Sequence, residues 1–75
     1  MAGKISIIGQ IAEVDRELQD RLRRYPRLVR EGKMREEERV MLMDRMEAVR
    51  ATLMFCRENE ADIRAFIAAK KAGGA

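Results

Sequence analysis

Histidine and tryptophan are absent from this 75-residue chain, cysteine and proline occur once each, and the aromatic side chains are Tyr25, Phe55 and Phe66. Each shortage excludes something. Cys56 is the sole cysteine, so no disulfide forms within the chain. Without histidine the usual zinc and di-iron ligand sets cannot be assembled, and no metal or other cofactor is expected. β-Branched residues are few and fall at helical spacing, which leaves little for a sheet. No apolar run approaches the ~20 residues of a membrane span. The apolar patch Ile5 to Ile11 is broken by Ser6, Gly9 and Gln10, and is too short for the apolar region of a signal peptide. The expected location is the cytoplasm, where an unpaired cysteine is ordinary.

What is present is helix-forming: alanine, leucine, methionine, glutamate, arginine and lysine dominate. The expected fold class is all-α, a single domain over residues 1–75. A chain this short buries only about 60–65% of the surface its unfolded form exposes. Helix packing and self-association are the remaining sources of stability.

Ile7, Ile11, Val14, Leu18, Leu22, Tyr25 and Leu28/Val29 make one helical stripe, with charged residues outside it. The spacing predicts a helix over about 5–30. Gly32 suits the left-handed capping position that ends it. Glu36, Glu37 and Glu38 then complement the positive end of a second helix, although Arg35 makes a poor cap. That helix is expected over about 35–69, with Leu42, Met46, Val49, Leu53, Cys56, Ile63 and Ile67 as its stripe. Glu60 occupies one position of it. Residues 71–75 are expected to fray.

The two helices form an antiparallel hairpin in which residue i faces roughly residue 65 minus i. Helix two outruns helix one, leaving Ile63, Phe66 and Ile67 uncovered by on the order of 10–15 Å. A second copy of the chain is the expected cover, closing a four-helix bundle as a homodimer. The alternative is a second helix that bends or frays after Glu58. Pro26 lies within the first stripe and loses the hydrogen bond to the carbonyl of Leu22. The stripe continues past it, so a kinked helix is favoured over a break.

The turn sequence RYPRLVREGKMREEE resembles a pattern in small uncharacterised helical-hairpin proteins of bacteria and their phages. Tyr25, Pro26, Arg27, Leu28, Val29, Gly32, Lys33 and Met34 carry the likeness, which extends over about Leu18 to Leu53. It implies a helical hairpin of phage or prophage origin and no particular activity. In that pattern a serine or threonine follows the methionine, and Arg35 departs from it.

No catalytic constellation is legible. Ser6 and Thr52 have no adjacent base. Cys56 sits at an apolar stripe position with nothing to lower its pKa. Gly32-Lys33 lacks the other elements of a phosphate-binding loop. The methionines of helix two read as core, with Met41 off the stripe and available to a partner.

Charge is the sharpest signal. Arg21, Arg23, Arg24, Arg27, Arg30, Lys33 and Arg35 face one acid, Glu31, within fifteen residues, so that segment carries +6 in a chain whose net charge is +3. Glu17 and Asp20 precede Arg21 and Arg24 at ion-pairing spacing, and Arg27 and Arg30 suit a helix C-terminus, so part of the cluster is a solvated face. The expected partner site is Arg23, Arg24, Arg27, Arg30 and Lys33, against an acidic protein surface. Nucleic-acid phosphate is the alternative. No small molecule and no membrane is expected. The chain reads as a non-enzymatic accessory protein working by protein–protein contact and self-association.

Overall fold

The computed structural model describes residues 4–73. They fold as three helices, α1 (Ile7–Arg30), α2 (Glu36–Glu58) and α3 (Glu60–Gly73), with no strand among the described residues. The all-helical class stands. The expected second helix over 35–69 is instead two helices, parted at Asn59, so the two-helix layout gives way to three.

The reason for the break is local. Asn59 leaves helical geometry (φ −111°, ψ 15°). Its side-chain amide donates to the Phe55 carbonyl at 2.8 Å, beside its own backbone N–H at 3.0 Å. Asparagine competes with the helix ladder for backbone partners in this way. The ladder resumes at once, with the Ile63 N–H on the Asn59 carbonyl at 2.9 Å. Residues 71–73, expected to fray, belong to α3. Residues 74–75 lie outside the described residues.

The helix ends follow from their residues. Ser6 caps α1, its hydroxyl accepting from the Gly9 N–H at 3.1 Å. At the other end Lys33 N–H reaches the Leu28 carbonyl and Gly32 N–H the Val29 carbonyl, at 2.9 and 3.1 Å. This double bond pattern needs a left-handed residue between, and Gly32 supplies it at φ +74°. α1 continues through Pro26 to Arg30. Arg35 adopts the extended cap conformation before α2 but its side chain makes no cap bond. Replacing Arg35 with serine is expected to raise stability by about 1 kcal/mol, because Glu38 already stands where a capping box needs it. Urea unfolding should show a higher midpoint at unchanged slope.

α1 packs antiparallel on α2, and α3 joins the end of α2 with side chains that border the start of α1. Ile11, Leu18, Tyr25 and Met43 are the buried apolar residues, with Leu18, Tyr25 and Met43 in one cluster edged by Val14, Leu28, Met34, Leu42 and Met46. The buried line on α1 keeps a strict four–three spacing: 7, 11, 14, 18, 21, 25, 28. That puts Arg21, not Leu22, in the interface, and Leu22 is 54% exposed. On α2 the line turned toward α1 is Arg39, Met43, Met46, Arg50 and Leu53. It lies roughly 60° around the helix from the stripe expected from the sequence. Val49 of that stripe is exposed.

Two arginines bond across the contact in this rotation, one on each flank. Arg21 Nη1 donates to the Leu42 carbonyl at 2.9 Å and Arg50 Nε to Asp15 at 2.6 Å. Asp15 and Arg50 obey the expected facing rule. Tyr25 instead clusters with Met43, about one turn beyond Val40, the facing residue that rule predicts.

Candidate functional site

Two surfaces compete for attention: the basic end of α1 and the apolar residues of α2 and α3.

The five expected partner-binding cations do not behave alike. Arg24 is answered within the chain. Its Nε donates to Asp20 at 2.9 Å, Glu17 lies 4.0 Å away, and its guanidinium stacks over the Tyr25 ring at 5.1 Å. The hydrogen bond it donates to Asp20 holds the Arg24 pKa above its ordinary value. Lys33 pairs with Glu31 at 3.5 Å. Arg23, Arg27 and Arg30 have no ion pair among the described residues. At 3.6 residues per turn these three share one stripe, roughly opposite Tyr25 and pointing away from α2. The unanswered charge is therefore an outward ridge of three arginines rather than the turn itself.

Arg21, the other early arginine, is structural. It is half-buried, pairs with Glu17 at 2.9 Å, and lies 5.6 Å from the Tyr25 ring. The remaining pairs are local or link the helices. Glu13 with Arg16 and Glu36 with Arg39 are ion pairs on single helices. In each, the hydrogen bond from the arginine pulls the carboxyl below its usual range. That stabilisation is present above the ordinary carboxylate pKa and fades as pH falls through the lowered one.

The apolar surface is the larger feature. Among the described residues four apolar side chains are buried and ten large ones are exposed, Phe66 at 69% among them. Ile63, Phe66 and Ile67, the expected self-association residues, all lie on α3, which buries nothing. Ile63 and Ile67 share a shallow groove with Ile7 and Cys56, closed at its polar edge by Glu60 and Arg64. The groove thus carries the apolar face of α3 back onto α2. Phe66 does not line it.

Three features escaped sequence reasoning. The Asp15–Arg50 pair could have been found, since the two positions satisfy the facing rule. Arg21 could have been placed by insisting on strict spacing over apolar character. The Ser6 cap was legible as a serine just before an apolar run. Among the described residues no group of acidic and cysteine side chains could hold a metal, and no helix is long and apolar enough to cross a membrane. No protein-family model, curated protein or solved structure matches the chain.

Proposed function

We propose that this chain is a non-enzymatic interaction protein that self-associates through α3 and acts by contact with other proteins. An accessory role of the bacterial and phage kind that its turn sequence resembles fits that reading. The observation that carries it is the imbalance, among the described residues, between four buried and ten exposed large apolar residues. The part of it that gathers on α3, Ile63 and Ile67 in one groove with Ile7 and Cys56 and Phe66 exposed beside them, is the surface we read as a protein contact. The second copy covers Ile63, Phe66 and Ile67, and the paired molecules close a four-helix bundle around α1 and α2. An acidic protein surface meets the ridge of Arg23, Arg27 and Arg30, with Arg24 and Lys33 at its edges.

Light scattering coupled to size exclusion tests the self-association. The wild-type chain is expected to elute at twice its monomer mass. Phe66→Glu should halve that mass at unchanged helicity, because Phe66 is exposed in the single chain. A wild-type monomer at high micromolar concentration would sink the dimer. The second reading, phosphate binding, is favoured by the alignment of the three unpaired arginines. It requires a gel shift with duplex DNA or structured RNA at ~50 mM salt, where phosphate contacts are strongest.

A further inference from the structure

α2 carries two overlapping four–three repeats. One, Arg39–Met43–Met46–Arg50–Leu53, faces α1. The other, Leu42–Met46–Val49–Leu53–Cys56, shares Met46 and Leu53 with the first and turns away from it. α1 covers the inner edge, where Leu42 and Met46 touch the buried cluster. The middle of the second repeat is open: Val49 is 46% exposed. Beyond Cys56 the groove with Ile63 and Ile67 continues the apolar line. The two repeats are edges of one broad apolar face about 60° apart, and α1 covers one edge while Val49 on the other stays open.

The residues flanking this second repeat are Met43, Arg45, Arg50, Thr52 and Arg57. Three of the five are arginine and none is acidic. Arg50 is held by Asp15, while Arg45 and Arg57 are exposed and have no ion pair among the described residues. The first acid on this side, Glu38, stands a turn before Leu42, beside Lys33 and Arg35 in the depression at the start of α2. Flanking charges set which helix a seam accepts. A second copy laid on the same face would bring arginine toward arginine, whichever way it ran. The molecule also shows what does fit: α1 packs on α2 by apolar contact plus an acid, Asp15, on an arginine, Arg50.

We propose that this face of α2 is a docking surface for an acidic amphipathic helix of another protein, with Val49 at its centre and Arg45 and Arg57 reading the acids. The proposal rests on the reading of the chain as an interaction protein, but not on its dimer.

The test uses the full chain and two labelled helical peptides with leucine at every four–three position. One peptide carries glutamate at all flanking positions and the other lysine, so that neither self-associates. In an anisotropy titration the glutamate peptide should bind, with the lysine peptide weaker by about tenfold or more. Arg45→Glu with Arg57→Glu should reverse that order. Val49→Asp should remove binding of both, with circular dichroism showing the helices intact. Equal affinity for the two peptides, no binding of the glutamate peptide, or indifference to Val49→Asp would each overturn the proposal. So would a drop in the wild-type molar mass on Val49→Asp, which would assign the face to a second copy. A wild-type monomer in light scattering would remove only the α3 self-association, leaving the peptide titration to decide this surface.

Discussion

Replacing Tyr25 with alanine is expected to cost the chain a large share of its stability and to lower its melting temperature more than any other single change considered. Tyr25 is 6% exposed, the least accessible residue of a buried set of four. It joins Leu18 to Met43 across the two helices, and Arg21 and Arg24 stack on its ring at 5.6 and 5.1 Å. Truncating a buried aromatic side chain costs about 3–5 kcal/mol. A chain of this size has roughly 4–11 kcal/mol in total, at the usual stability per residue. Tyr25→Phe keeps the ring, its burial and the stacked cations, and should retain most of the stability. Thermal melts followed by circular dichroism separate the cases. An alanine variant that melts like wild type would mean the Leu18–Tyr25–Met43 cluster is not what joins α1 to α2.

The second large effect is expected at Arg21, a residue whose charge suggests a surface role. Its guanidinium holds the Leu42 carbonyl, pairs with Glu17 and lies by Tyr25. Hydrogen bonds from charged groups contribute about 1.5–3 kcal/mol when partly buried. Arg21→Ala should therefore lower the melting temperature by roughly 10 °C, at the usual 4–8 °C per kcal/mol for a small domain. Arg21→Met keeps the apolar stem and should recover about half of the loss. Arg23→Ala, one turn-face away and unpaired, should shift the melt by no more than a degree or two. A loss at Arg23 equal to that at Arg21 would mean that general charge, and not the Leu42 contact, accounts for the effect.

These two residues show how much of the fold the sequence disclosed. Helical class, the turn at Gly32, passage through Pro26 and the Glu17–Arg21 and Asp20–Arg24 pairs follow from spacing and composition, and each is found. The rotation of α2 does not follow. Its second stripe is the more apolar of the two, so hydropathy alone selects it. α1 takes the other, and arginines at 21 and 50 bond a carbonyl and a carboxylate across that contact. Polar groups in a small interface carry orientation that apolar periodicity does not encode. Asn59 is only partly similar: the charged Glu60 in the apolar stripe marks a weak point there, but the break itself comes with the side-chain amide on the Phe55 carbonyl, which spacing does not show. On the basic cluster, composition identified the charge but not its distribution. Arg24 and Lys33 are satisfied by neighbours, while Arg30, which suits a helix end by its dipole, is left without an ion pair among the described residues.

The closed turn between α1 and α2 also governs how quickly the molecule forms. Gly32 and Lys33 lock the end of α1 through bonds no more than five residues long, and α2 begins at Glu36. Chain closure there costs little entropy, and every contact of α1 with α2 can then form outward from the turn, like a zip, at steadily increasing sequence separation. Tyr25 and Met43 lie near the closed end and meet early. Asp15 and Arg50 meet later, and the groove of Ile7 and Cys56 last. Topologies dominated by such local pairing fold in microseconds to milliseconds. The same gradient runs in reverse during opening, so the strip that stays unpaired longest during folding, from Cys56 into α3, is also the first to be offered to a neighbour.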